Sequence, residues 1–230
     1  MVETREITLP AGEDVVRGLR AGDLVHLTGE IVISAGLPTY RRLLAEMRQG
    51  IAPPLDLRGR PLFHVGSLGE DIDGEYHLRY LNPTTSTRFD PEMPDLIRGL
   101  GIRFTGGKGG LGEQSVRAMR DTGCVYLSFL GGGCTLLSDA IRRVTGVHWT
   151  EMVEHYRLVQ VEVERLGPLT VGIDAHGESI YRDLRAGAQA RLPEILRELS
   201  ARRGDDHDRP AASASSNSSR SRCRAGEDES

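Results

Sequence analysis

The chain has 230 residues, with 29 Lys and Arg against 33 Asp and Glu for a net charge of −4. That length suits one substantial core, and the charge balance leaves no basic footprint for nucleic acid or an anionic membrane surface. No apolar run approaches the roughly 20 residues of a membrane span, and Met1 to Glu6 lacks the basic-then-apolar pattern of a secretory leader, so the expected address is the cytoplasm.

Taken in chain order, the patterns alternate between strand and helix, which predicts an α/β fold with mixed sheets. Leu24 to Ile33 reads as two short strands around Gly29. Leu37, Tyr40, Leu43, Leu44 and Met47 follow helical spacing, with Pro38 accommodated in the first turn. Pro61 to Val65 and Tyr76 to Leu81 are strand-like, the latter with Tyr76, Leu78 and Tyr80 on one face. Met93, Leu96, Ile97 and Leu100 mark a short helix ending at Gly101, and Ile102 to Phe104 a brief strand before a glycine loop. Val116 and Met119 mark the helix after that loop. Cys124 to Leu130 is a nearly continuous apolar strand, expected to be buried on both faces. The triplet Gly131 to Gly133 then leads into a predicted amphipathic helix through Leu136, Leu137, Ala140, Ile141 and Val144. Val159 to Glu164 and Leu169 to Ile173 read as two further strands, and a charged helix from about Tyr181 to Leu199 closes the pattern.

From about Gly204 the composition turns to Asp, Ser, Ala, Asn and Arg, with almost nothing apolar to bury, so residues 204–230 are expected to be a disordered tail and residues 1–203 one domain. The cysteines Cys124, Cys134 and Cys223 are odd in number and lie in a strand-like run, after a glycine triplet and in this tail. Incidental thiols fit those contexts better than a disulfide framework or an iron–sulfur ligand set. Asp71 to Glu75 has the look of a calcium-loop fragment without the rest of the pattern, and a surface turn is the simpler expectation. The histidines have no metal-like spacing, and Trp149 is expected to serve packing.

Two central runs carry the chemistry. Pro83-Thr84-Thr85-Ser86-Thr87-Arg88-Phe89-Asp90 packs four hydroxyls and one guanidinium together; in an extended strand Thr84, Ser86 and Arg88 share a face and can grip a carboxylate, for which the planar Arg fork is suited. Twenty residues on, Gly106-Gly107-Lys108-Gly109-Gly110 places one ammonium in a loop where freed backbone amides could cradle an anion at a helix start. It is not a phosphate-binding Walker sequence, because no Ser or Thr follows the lysine. Each run alone is equally compatible with a Thr-rich edge strand or a solvent lysine in a βα turn.

Together with Pro94-Asp95-Leu96-Ile97, Val125-Tyr126, Gly131 to Gly133, Val161-Glu162-Val163 and Ile173-Asp174-Ala175-His176-Gly177, these runs resemble, in order and over most of residues 18–181, the C-terminal domain or β subunit of iron–sulfur-dependent hydro-lyases, the class I fumarase and L-tartrate dehydratase family. The resemblance implies a swivelling β/β/α domain that closes over a 4Fe-4S cluster held by a separate α subunit, in a hetero-oligomer that adds or removes water on a small 2-hydroxy dicarboxylate. Carried over position by position, it implies substrate contacts at Thr84, Thr85, Ser86, Arg88 and Lys108, with Thr84 in proton transfer and Lys108 beside it as the second catalytic residue. No metal ligand is implied in this chain.

One departure stands out. Where the family has an Arg-Asp-x-x-His run this chain reads Gly36-Leu37-Pro38-Thr39-Tyr40, so a carboxylate-gripping arginine is replaced by Gly36 and the histidine by Tyr40. Arg41 or Arg42 could compensate from the next turn. Two alternatives to catalysis therefore stand beside the hydro-lyase reading: a divergent non-catalytic partner and a carboxylate-binding module on the same fold.

Overall fold

A computed structural model describes residues 4–207. In chain order the elements are β1 (Thr4–Thr8), α1 (Glu13–Arg17), β2 (Leu24–Ile33), α2 (Leu37–Arg48), β3 (Pro61–Phe63), β4 (Val65–Ile72), β5 (Glu75–Pro83), α3 (Met93–Leu100), β6 (Phe104–Gly107), α4 (Glu113–Thr122), β7 (Val125–Ser128), α5 (Cys134–Ser138), β8 (Ile141–His148), β9 (Leu158–Ile173) and α6 (Ile180–His207).

Seven strands form one sheet in the order β1-β2-β3-β6-β7-β9-β8, and β2 also pairs with β9. The second pairing closes β2, β3, β6, β7 and β9 into a five-stranded, barrel-like ring. Its pairs are parallel from β2 to β7 and antiparallel where β9 meets β7 and β2. This is the α/β class with mixed sheets that the alternating sequence pattern predicts. Strands β4 and β5 form a separate hairpin whose turn at Asp73-Gly74 is the surface turn expected there, with the Gly74 amide donating to Asp71 Oδ1.

Successive strand residues point to opposite faces, and here the two faces build two cores. Ile33, Phe63, Phe104, Leu127 and Val161 gather in one apolar cluster. Their neighbours Val32, Leu62 and Tyr126 pack on the other side with Leu43 of α2, Leu96 and Ile97 of α3, and Met119 of α4. Each fully buried aliphatic or aromatic side chain of this kind contributes about 1.5–3 kcal/mol. The double-sided burial explains why β7 reads as an uninterrupted apolar run.

Three expected elements differ. Leu24 to Ile33 is one ten-residue strand, because the partner strand accommodates Gly29 with a shift of register rather than a break. Val159 to Glu164 and Leu169 to Ile173 are likewise one sixteen-residue strand, β9, which lies against β8 and β2 in its first half and β2 and β7 in its second. The amphipathic helix predicted from Leu136 to Val144 is only α5; from Ile141 the chain is β8, drawn into the ladder on β9 by Val144, Thr145 and Val147, whose side chains suit a pleated surface.

The compact unit runs to Arg185 and a second unit begins at Ala186. Helix α6 extends eight residues beyond the predicted Leu199 end, through His207, so residues 204–207 of the expected tail are helical. Residues 208–230, including Cys223, lie outside the described residues. Among the described residues no helix is long and apolar enough to cross a membrane.

Candidate functional site

Strand β5 ends at Pro83, and the chain then crosses to the end of β6. The Thr84 amide donates to the His64 carbonyl at 2.8 Å, the Lys108 amide to the Thr84 carbonyl at 3.1 Å, and the Ser86 amide to the Lys108 carbonyl at 2.8 Å. Thr85 and Lys108 thus pair as an isolated parallel bridge, which brings together the two runs singled out in the sequence. Gly107 is required for this approach: a Cβ there would lie 2.5 Å from Ser86 Oγ and 2.9 Å from the Thr84 carbonyl oxygen. Gly109 and Gly110 take φ values of +86° and +75°, the left-handed region that glycine tolerates, and so turn the chain away after Lys108.

The single-face arrangement expected of Thr84, Ser86 and Arg88 does not form. Ser86 to Arg88 is one turn of 3-10 helix, which rotates Ser86 inward while Thr87 and Arg88 remain exposed. Ser86 is fully buried, its Oγ 2.9 Å from His64 Nδ1 and 2.8 Å from the Tyr126 hydroxyl. It supports the exposed residues from below. The His64 ring stacks on Phe89 with centroids 4.5 Å apart, and burial together with the nearby Arg88 charge lowers its pKa to about 3, so the imidazole is neutral. Burial pushes the Tyr126 phenol well above its ordinary range, so this layer carries no charge at neutral pH.

The helix-start anion cradle expected near Lys108 is also occupied from within the chain. Asp90 Oδ1 accepts from the Gly112 amide at 2.9 Å and from Ser115 Oγ at 2.6 Å, which places a carboxylate at the N-terminus of α4. Gly131 and Gly132, in the triplet before α5, face open space.

Above the crossover lies a cavity of about 430 Å³, within the usual size of small-molecule clefts. Of the five sequence-predicted site residues, Thr84 and Lys108 line it. Arg88 reaches it through Thr84, donating from its guanidinium to Thr84 Oγ1. Thr85 is exposed beside the bridge, and Ser86 lies beneath. Lys108 is exposed and among the described residues has no ion pair. The cavity is also lined by Glu154 and His155, on a 3-10 turn spanning Glu154–Tyr156. Glu154 Oε1 accepts from the Gly69 amide at 2.9 Å and the Tyr76 hydroxyl at 2.6 Å; these two hydrogen bonds, the tyrosine's first, hold its carboxyl below the usual range. A larger cavity of about 680 Å³, between β5 and β8, contains none of the predicted residues, and its Arg142 and Arg143 are paired with Glu164 and Glu162.

Residues 2–184 match the family described as Fumarase C-terminus. The chain belongs to that family. It is 28% identical over 193 residues to the L(+)-tartrate dehydratase subunit beta of Escherichia coli K12, covering 84% of this chain and 94% of that one. A Methanocaldococcus jannaschii chain named for the same subunit is 29% identical over 182 residues, 79% of this chain and 93% of its own. A Geobacillus stearothermophilus chain named for class I fumarate hydratase is 31% identical over 196 residues, 84% of this chain but 37% of that protein, so the present chain spans little more than a third of it.

The departure from the family pattern at Gly36 has a structural counterpart. A Cβ at position 36 would lie 2.6 Å from the Tyr156 ring, which occupies the space a longer side chain would need. Tyr40, in the family's histidine position, is fully buried with its hydroxyl 3.0 Å from the Phe63 carbonyl. Neither neighbouring arginine compensates: Arg41 pairs with Glu92, while Arg42 pairs with Glu46 and Glu151 and lies 4.3 Å over the Trp149 ring.

His64, Tyr126, Glu154 and His155 were not among the predicted site residues. His64 carries a legible signal, a lone polar residue inside the apolar run Leu62 to Val65. Glu154 and His155 carry none, because only the fold brings their turn to β4 and β5. Among the described residues no group of three His, Cys, Asp or Glu side chains could hold a metal ion. Cys124 is buried, its thiol pushed up to about 12 by burial, and offers no thiolate. The described part of this chain does not fit an iron–sulfur cluster.

Proposed function

We propose that this chain is the β subunit of a two-subunit hydro-lyase that adds or removes water on a 2-hydroxy dicarboxylate such as malate or tartrate. The supporting observation is the crossover itself: Thr84 and Lys108, which has no ion pair among the described residues, line one cavity and are fixed by three backbone hydrogen bonds. The relatives named for tartrate dehydratase subunit beta support the same reading.

In this reading Lys108 holds a substrate carboxylate and Thr84 moves the proton at the adjacent carbon. A threonine hydroxyl is a weak base in water. Here Arg88 donates to Thr84 Oγ1, so a cation faces the oxygen on which negative charge would develop, with Lys108 on the same cavity wall. Ser86, His64 and Tyr126 form a neutral, buried layer that fixes the height of Thr84 without competing for the substrate's charge. The 4Fe-4S cluster implied by the resemblance belongs, in this proposal, to the separate α subunit.

The closure of position 36 by Tyr156 favours a second reading, a non-catalytic partner that retains the fold for assembly. Co-expression with a candidate α subunit under anaerobic conditions separates the two. Turnover of fumarate, mesaconate or tartrate supports the enzyme; a stable inactive complex supports the partner. Lys108→Ala should leave that complex assembled and lower kcat/KM by about 10²–10³-fold, the usual cost of removing a preorganised charge-stabilising group. Wild-type rates in that variant would sink the site assignment.

A further inference from the structure

We propose that His155 is a specificity-determining residue that binds the far carboxylate of a diacid whose near carboxylate is on Lys108. The inference deepens the hydro-lyase reading and, for its role in catalysis, rests on it. Among the described residues Lys108 and His155 are the two cavity-lining side chains able to carry positive charge, and the His155 Cβ lies 4.0 Å from where a Cβ on Gly66, another lining residue, would stand. His155 is exposed, and among the described residues neither ring nitrogen has a hydrogen-bond partner. Its ring rests edge-on against Tyr156, with centroids 4.5 Å apart.

The backbone beneath it is fixed. The His155 carbonyl accepts from the Ala35 amide at 3.0 Å, and the Tyr156 carbonyl accepts from Ser34 Oγ and Thr39 Oγ1. The neighbouring cavity carboxylate, Glu154, is held below its usual range chiefly by the Tyr76 hydroxyl and the Gly69 amide, with a smaller contribution from the His155 imidazole beside it.

The same turn connects His155 to the closed position at Gly36. Tyr156 fills the space above Gly36, and Arg41 and Arg42 have carboxylate partners, so no cation reaches the cavity from α2. Arg88 is engaged on Thr84 Oγ1, which leaves His155 as the basic side chain lining the cavity, besides Lys108, for a second carboxylate to meet. An imidazole offers at least one N–H donor in either protonation state, and a charge-assisted one when protonated. Because a single imidazole makes one hydrogen bond where an arginine fork makes two, the subsite selects for a diacid while holding it less tightly at that end.

The test uses the assembled αβ complex and the full β chain. In the complex, His155→Ala should raise KM for malate or tartrate about 10- to 100-fold, the loss of a hydrogen bond to a charged group, with kcat changed far less. It should also erase the preference for the diacid over its one-carboxylate amide analogue, and His155→Gln, which restores a donor, should recover part of the affinity. On the full β chain, the His155 ring resonances should shift on titration with malate and should not shift with the monocarboxylate analogue. An active wild-type complex with unchanged KM and diacid preference in His155→Ala overturns the inference alone. A wild-type complex inactive on every diacid, with His155 still responding to malate, overturns the hydro-lyase reading and leaves the subsite. Inactivity together with no response of His155 overturns both.

Discussion

The two walls of the cavity are made in different ways. The Thr84–Lys108 wall is laced by backbone hydrogen bonds and backed by a fully buried layer of His64, Ser86 and Tyr126. The second wall is a single 3-10 turn held from outside, by Glu154 on the hairpin, by the Ala35 amide and by the Ser34 and Thr39 hydroxyls. The side chains that back the first wall cannot move without disturbing the core, whereas the second can exchange side chains at little cost to the barrel. Sequence resemblance to the family is accordingly dense on the first wall, and the Gly36 departure falls against the second.

The largest stability effect expected from this contrast belongs to the buried layer. His64 is neutral in the folded protein, with a pKa near 3 against an ordinary 6.5, so the unfolded chain binds a proton that the folded one does not between those values. Its contribution is fully present above pH 6.5 and is lost as pH falls toward 3. The loss is about 1.4 kcal/mol per pH unit, about 3 kcal/mol by pH 4. Urea unfolding of wild type and His64→Asn from pH 7 to 4 should show that slope only in the wild type; equal slopes would mean the layer is not sealed.

The first wall was partly legible before the fold was known, and the reason is physical. Gly107 has to be glycine for the crossover to form and Lys108 follows it directly, so the site is marked in consecutive residues. A regular strand puts Ser86 on one face with Thr84 and Arg88, but the backbone turns to 3-10 geometry there, and no periodicity marks so short a turn. The start of β8 reads as helix because Leu136, Leu137, Ala140, Ile141 and Val144 happen to share helical spacing. What decides it is the ladder on β9, whose partner residues lie 10 to 22 positions away. The second wall was illegible for the same reason, since Glu154 meets Tyr76 and Gly69 across about 80 residues.

An intermediate effect should come from the seam between the walls. Gly36→Ala puts a methyl group 2.6 Å from the Tyr156 ring and should cost about 1–3 kcal/mol of stability, as overpacking typically does. Because Tyr156 is the obstacle, the double variant with Tyr156→Ala should be more stable than the sum of the two single changes predicts, by thermal or denaturant unfolding. Strict additivity would show that the ring does not fill the space at position 36.

The smallest effect should come from the outer tie of the second wall. Tyr76→Phe removes the hydroxyl that donates to Glu154 Oε1 and should cost about 1 kcal/mol at pH 7, the usual net value of one hydrogen bond. The carboxyl is held below its ordinary 4.5 chiefly by this bond, so its contribution is present above pH 4.5 and fades as pH falls through the lower folded value. The difference between wild type and variant should therefore narrow on acidification rather than grow, since a protonated Glu154 still accepts from Tyr76 but without charge assistance. The same variant should raise KM more than it lowers kcat, because the turn it loosens carries His155 and not Thr84 or Lys108. If Tyr76→Phe instead depressed kcat as strongly as a change at Lys108, the two walls would be one mechanical unit and the contrast between them would fail.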